Sequence, residues 1–227
     1  MQRLFYLLFD EAKSDGSLLR GMISDRVVPL LRGLAAEEIH VFVSDEEVAA
    51  GSPIVQSDPP IRAALSYGLV DLEDRHEVEA ALQGVVPSHA GYLVRESRPI
   101  NHERKKAERT PGMMQMSCVA QRSDISLEEF RRIWHEDHAQ VAIETQSTFG
   151  YVRNEIERSL TSDAPGHWSA IVEEFFPIEA LDDPMVFFDA RTEAELAANR
   201  KRMIESCGRF LDLRQIEVTF MSEYYFG

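Results

Sequence analysis

Along the chain, stretches with alternating apolar positions give way to stretches with helical apolar spacing, in an order that predicts two successive βαββαβ units. The first unit has predicted strands at 3–9, 39–44, 61–71 and 90–98, and predicted helices at 18–34 and 74–83. The second unit has predicted strands at 113–120, 150–157, 168–176 and 216–226, and predicted helices at 127–145 and 193–210. Pro29 predicts a kink or an early end in the first helix.

A weak internal repeat agrees with this order of elements. At an offset of 109, residues 5–9 align with 114–118 and residues 14–18 align with 123–127, without a gap. Both faces of the first strand are apolar, since residues 4, 6 and 8 and residues 5, 7 and 9 are all hydrophobic. A second layer must therefore cover the sheet face that the helices leave bare.

We therefore predict an α+β fold in which tandem ferredoxin-like βαββαβ repeats form a pseudo-dimeric α+β barrel within one chain. The predicted domains are a scaffold half at 1–98, a linker at 99–112 and an active half at 113–227. A sheet-to-sheet dimer of whole chains is the alternative, and a homodimer through other surfaces stays open. The linker is basic and ends in Pro-Gly, so it is either a solvated connector or a basic strap across an acidic partner half.

Composition narrows the classes of partner. The 227 residues carry a formal net charge of −15, which disfavours nucleic acid and anionic membrane surfaces. Two cysteines cannot build a disulfide framework or a cysteine-rich metal site. The N-terminal apolar run is too short for a signal peptide or a membrane span, so we expect a cytoplasmic protein.

The predicted helix at 127–145 carries the most informative pattern. Ser126 and Glu129 form a capping box at its start, and Phe130, Trp134 and His138 lie along one inward stripe. Imidazole takes and returns protons near neutral pH, so His138 is our candidate general acid/base. The alternative is a core histidine bonded to a backbone carbonyl. His135 is expected to face water.

Other side chains are candidates for substrate binding. Phe130 and Trp134 either form pocket walls or pack in the core. Tyr151, Arg153 and Tyr224 are positioned on predicted strands where they could orient a substrate oxygen.

Arg122, in the loop before the helix, either binds an anionic group or caps the loop. No metal site is predicted, because His135 and His138 lack the His-Glu-x-x-His spacing and His167 is the only distant third candidate.

Residues 111–227 resemble the EthD family of the dimeric α+β barrel superfamily. The resemblance rests on Phe130, Trp134 and His138 at their spacing, on Arg122 in the preceding loop, and on the downstream residues 209–212 and 223–224. It implies a ferredoxin-like fold with a pocket between the sheet and the long helix. It also implies links to degradation of ether-type xenobiotics and to oxidation or decarboxylation of polyketide aromatics.

The first half departs from the motif, since Gly21, Asp25 and Pro29 occupy the corresponding positions. We therefore expect one active half. The expected protein is an EthD-like oxidoreductase, monooxygenase or decarboxylase that needs no organic cofactor and acts on a small hydrophobic molecule through His138. Haem bound by His138 is the cofactor alternative. A non-catalytic module that binds a hydrophobic ligand or responds to stress is the functional alternative.

Overall fold

The computed structural model describes residues 1–11 and 13–227. Its eight strands are β1 (Gln2–Phe9), β2 (Glu37–Val43), β3 (Ile61–Leu69), β4 (Ser88–Ile100), β5 (Met113–Val119), β6 (Gly150–Ser159), β7 (Ala170–Phe176) and β8 (Glu217–Tyr225). The α-helices are α1 (Gly16–Met22), α2 (Val28–Gly33), α3 (Arg75–Gln83), α4 (Leu127–Arg132), α5 (Ala139–Thr145), α6 (Pro184–Phe187) and α7 (Glu193–Cys207). Two π-helical segments, Ile23–Val27 and Ile133–His138, join α1 to α2 and α4 to α5.

The strands form one closed antiparallel barrel in the order β1-β3-β2-β8-β5-β7-β6-β4. Each half of the chain contributes four neighbouring strands, β4-β1-β3-β2 and β8-β5-β7-β6. The halves meet through the β2–β8 and β4–β6 pairs. The fold is thus a mixed α/β fold in which a single chain closes the barrel.

Alternation along the strands separates the barrel interior from the helix-covered outer face. Phe5 and Leu7 of β1 point into the barrel with Met114 and Met116 of β5. Residues 4, 6 and 8 of β1 instead pack against the helices of the first half. A third cluster, built around Trp134, lies between the second half of the sheet and its helices. The two apolar faces of β1 therefore correspond to two separate buried layers.

The predicted helix at 127–145 has the observed bounds, with the π-helical segment in its middle. The predicted helix at 18–34 runs from Gly16 to Gly33, and Pro29 lies in the first turn of α2, where its missing N–H breaks no helical bond. The last long helix ends at Cys207 rather than at residue 210. The short helix α6 and the 3₁₀ turns are too brief to leave an apolar period, so the sequence pattern did not predict them.

Residues 101–112, here called the strap, connect β4 to β5 and run beside β8. The Ala107 amide donates to the Tyr225 carbonyl at 2.6 Å, and the Thr110 amide donates to the Glu223 carbonyl at 2.9 Å. The strap therefore packs on the barrel strand that lies between the two halves.

The side chain of Glu223 is fully buried beneath the strap. Its carboxylate lies 2.8 Å from Nε2 of His102 and 2.9 Å from Nδ1 of His40, and it accepts a hydrogen bond from Arg104 at 3.0 Å. Burial alone would raise the pKa of Glu223, but the bonds to both histidines outweigh it and hold the pKa well below its usual range. The strap is thus fixed to the barrel by a buried ionic cluster.

Candidate functional site

His138 lies at the end of the π-helical segment, and its ring faces away from bulk water. The ring is 8% exposed, packs 4.8 Å from the ring of Phe210, and shares a 2.9 Å hydrogen bond between Nδ1 and Oγ of Ser206 on α7. The hydrogen bond fixes the ring plane and leaves Nε2 as the nitrogen available to a ligand. π-helical turns are often found at functional sites.

A cavity of about 250 Å³ lies between the outer face of the second half of the sheet and its helices. Its walls are mainly apolar and aromatic. It is lined by Ile54, Gln115, Ser117, Val119, Trp134, His138, Gln146, Tyr151, Val172, Glu174, Phe187, Phe188, Met203, Cys207, Phe210, Leu211, Ile216 and Val218. These described lining residues include no lysine or arginine, so the cavity suits a neutral ligand.

Three polar side chains form a row across the floor of this cavity. Gln115 of β5 and Tyr151 of β6 both pair with Glu174 of β7, so the three residues lie side by side on one sheet face. Gln115 donates to Glu174 at 3.3 Å, and the Trp134 indole N–H donates to the Tyr151 hydroxyl at 2.7 Å. Because Tyr151 accepts from Trp134, its own hydroxyl hydrogen remains free to donate elsewhere.

Burial shifts the acid–base properties of two groups in opposite directions. It raises the pKa of Glu174 to about 7, while the hydrogen bond from Gln115 acts in the lowering direction. Burial, together with the Arg209 charge, lowers the pKa of His138 to about 4. The pKa of Glu174 thus lies near neutral pH, where that of His138 favours the uncharged imidazole, so Glu174 is a second candidate for acid–base chemistry beside His138.

The predicted aromatic stripe divides into a lining residue and a supporting one. Trp134 lines the cavity and is 1% exposed. Phe130 packs against Trp134 and Phe210, with ring centroids 5.4 and 5.5 Å apart, but it does not border the cavity. Of the two alternatives for Phe130, pocket wall or core packing, the structure therefore shows core packing.

Three other candidates lie outside the cavity lining. Arg122 is partly exposed at the surface, where it pairs with Asp124 and donates to the Gly208 carbonyl at 2.7 Å, the loop-capping arrangement. Arg153 has its guanidinium 5.8 Å from the Trp134 ring, behind the cavity wall. Tyr224 packs in the core of the first half and donates to Asp45 at 2.9 Å. The structure therefore unites His138, Trp134 and Tyr151 only.

His135 is partly exposed, with Nε2 3.2 Å from Glu155. Among residues 1–11 and 13–227, no group of three or more metal-ligating side chains has a geometry that could hold a metal ion.

Haem was the expected alternative cofactor. The residues do not fit it, because the cavity of about 250 Å³ has no cationic side chain among its described lining to pair with the propionates.

Sequence reasoning missed Glu174 and Gln146. A signal for Glu174 exists in the sequence, because Glu173 and Glu174 interrupt an otherwise apolar strand. Adjacent strand residues face opposite sides, so two neighbouring carboxylates in a buried strand must enter two different buried layers. Gln146 has no comparable signal, since a polar residue at the end of a helix is ordinary.

Comparisons with known proteins give a likeness of fold. No protein-family model matches the chain, and no curated protein sequence matches it. The structure of an anthrone oxidase-like protein superposes with a TM-score of 0.60 at 8% identity, covering 100% of this chain and 94% of that one. A candidate monooxygenase from Lactobacillus acidophilus superposes with a TM-score of 0.50 at 9% identity, covering 100% and 95%.

A variant of the chlorite dismutase of Candidatus Nitrospira defluvii gives a TM-score of 0.50 at 8% identity, covering 97% of this chain and 90% of that one. Such identities show a likeness of fold alone and carry no statement about activity. Within the part of the chain that the structure describes, no helix is long and apolar enough to cross a bilayer.

Proposed function

We propose that the chain is an oxidoreductase-type enzyme that acts, without an organic cofactor, on a small neutral hydroxylated aromatic compound. The observation that carries the proposal is a carboxyl group, Glu174, with a pKa of about 7 on the wall of an apolar cavity that has no cation among its described lining. Perturbed acid–base groups in apolar pockets are the usual mark of catalytic sites. The likeness to an anthrone oxidase-like fold agrees with this reaction class.

The size of the cavity limits the substrate. A dry cavity of about 150 Å³ admits one benzene ring, so on the same scale two fused rings need about 250 Å³. The cavity of about 250 Å³ therefore matches a bicyclic aromatic such as 1-naphthol. A tricyclic compound of anthrone size would require the cavity to expand.

The proposed step starts with proton transfer from the naphthol hydroxyl to the carboxylate of Glu174. The naphtholate carries negative charge on the ring carbon opposite its oxygen. That carbon gives an electron to O₂ and combines with it, and protonated Glu174 returns its proton to the resulting peroxide. Loss of the carbon-bound hydrogen and cleavage of the O–O bond release 1,4-naphthoquinone and water. One atom of O₂ enters the quinone and the other enters water.

His138 and Tyr151 have positioning roles in this scheme. The Tyr151 hydroxyl accepts from Trp134, which directs its hydrogen away from the indole and makes it a donor to the substrate oxygen. His138, oriented by Ser206, hydrogen-bonds the same end of the substrate through Nε2. Trp134 and Phe210 provide aromatic surface for the rings.

The finer assignments belong to the same proposal. We place residues 111–227 in the EthD family, with xenobiotic or polyketide aromatics as substrates and a cytoplasmic location. We also interpret the two sets of four strands as tandem ferredoxin-like repeats that act as a pseudo-dimer. The repeated strand order and the π-helical segment in the long helix of each half support this interpretation.

An oxygen electrode with 1-naphthol as substrate tests the proposal, with the quinone identified by mass spectrometry under ¹⁸O₂. We expect one labelled oxygen in the quinone, and a loss of about 10²–10⁴-fold in rate for Glu174→Gln. Glu173→Gln is the matched control, because Glu173 faces the barrel interior on the same strand. If 1-naphthol binds and no oxygen is consumed, the chain is a ligand-binding module and the enzyme proposal is wrong.

A further inference from the structure

Gln146 is a buried side chain whose amide oxygen has no hydrogen-bond partner among the described residues. It directly follows α5, where its backbone N–H donates to the Ala142 carbonyl. The side chain is 6% exposed and lines the cavity, and its Oε1 is buried with no hydrogen-bond partner among the described residues. The amide therefore lies at the cavity wall with its hydrogen-bonding capacity unused.

The other two glutamines in this region have partners. Gln115 donates to Glu174 on the cavity floor, and Gln140 donates to Glu144 at 2.8 Å on the exposed side of α5. Leaving a buried amide unpaired destabilises the fold, and a leucine of similar size would avoid that cost. An unpaired polar group kept at a cavity wall indicates that a ligand satisfies it.

We propose that Gln146 is a binding residue that selects ligands carrying a neutral hydroxyl group. The hydrogen of a ligand hydroxyl can pair with the unpaired Gln146 oxygen when the ligand binds, and in the proposed reaction it then passes to Glu174. An anionic group would find no lysine or arginine among the described lining residues, and an ether or a hydrocarbon would leave the amide oxygen unpaired. The inference rests on the cavity of the proposed function and adds the residue that recognises the hydroxyl of its substrate class.

Binding without turnover tests this selection separately from catalysis. The affinities of 1-naphthol and 1-methoxynaphthalene are measured by calorimetry under anaerobic conditions, for the unmodified chain and for Gln146→Leu. We expect the naphthol-to-ether affinity ratio to fall about tenfold in Gln146→Leu, because only the hydroxyl loses a partner. The change comes from weaker naphthol binding, with ether binding unchanged or stronger.

Gln140→Leu is the matched control, since it removes an exposed amide from α5, the helix that Gln146 directly follows. Its affinity ratio should equal that of the unmodified chain. An equal ratio in Gln146→Leu overturns the inference, as does equal affinity of the unmodified chain for both compounds. If the ratio falls as expected but 1-naphthol consumes no oxygen, the proposed reaction fails while the role of Gln146 stands.

Discussion

Replacing Glu174 by Gln removes its ionisable carboxyl and keeps its size. The variant therefore tests both the proposed acid–base role and the free-energy cost of burying a carboxylate. In the native protein the carboxyl keeps its proton up to a pKa of about 7, whereas the unfolded chain loses it near 4.5. Between these values the native state binds more protons than the unfolded state, so the free energy of unfolding falls as pH rises. Above pH 7 the native state holds a buried carboxylate, and the amide in Glu174→Gln avoids this charge.

The size of the effect follows from the same two values. A pKa rise from 4.5 to about 7 corresponds to about 3 kcal/mol at about 1.36 kcal/mol per pKa unit. Glu174 is partly exposed to the cavity, so solvent there lowers the cost and we expect about 1–3 kcal/mol. We therefore compare the free energy of unfolding of Glu174→Gln with that of the unmodified chain. The difference between them should shift in favour of Glu174→Gln between pH 4 and pH 8.

Urea denaturation at pH 4, 6 and 8 measures this difference. Glu173→Gln provides the comparison, because burial and the charge of Glu96 also raise the pKa of Glu173 to about 7. Both variants should gain stability toward pH 8, and only Glu174→Gln should lose 1-naphthol oxidation. A stability difference that stays constant from pH 4 to pH 8 would refute the raised pKa of Glu174.

Two further outcomes are expected. In the unmodified chain, kcat/KM for 1-naphthol should rise as pH passes through about 7 with ionisation of Glu174, and the residual activity of Glu174→Gln should lack this rise; initial rates from pH 5 to 9 check this. The free energy of unfolding of Glu223→Gln at pH 7 should be about 3–5 kcal/mol lower than that of the unmodified chain. Since the pKa of Glu223 is lowered in the folded state, this difference should shrink as pH falls below about 4, which urea denaturation measures. Backbone amides of the strap should also exchange hydrogen faster in Glu223→Gln than in the unmodified chain.

Much of the fold follows from local patterns in the sequence. The apolar stripe from Phe130 to His138, with Ser126 at its start, gave the bounds of the long helix, because capping and periodicity act within a few residues. The two apolar faces of β1 indicated that another layer covers the sheet. Long-range partners have no such local signal, which explains why the fixing of the strap by Glu223 was not predicted.

The site residues on the long helix could be predicted from the sequence, whereas the site residue Glu174 on the sheet could not. Trp134 and His138 share a helical face, so their spacing alone placed them together. Glu174 reaches the same cavity through strand pairing with Gln115 and Tyr151, which depends on the register of three strands distant in sequence. The pKa values depend on burial, and the sequence therefore suggested the ordinary value for His138 rather than about 4.

Comparing the same row of residues in both halves explains why only one half has this cavity. Matching the halves by strand order places Tyr6, Leu65 and Val41 where the second half has Gln115, Glu174 and Tyr151. Leu65 pairs with both Tyr6 and Val41, and all three are fully buried in the apolar core of the first half.

The row in the first half is thus packed with side chains and contains no carboxylate of its own, while the Tyr6 hydroxyl donates to Glu79 of α3 at 2.8 Å. The second half replaces the central leucine with Glu174 and leaves space above it. Packing of such a sheet face does not require a carboxyl at the central position, as Leu65 of the first half shows. Because Glu174 lies beside an open cavity and Leu65 does not, Glu174 is the residue of this row to test for a chemical role.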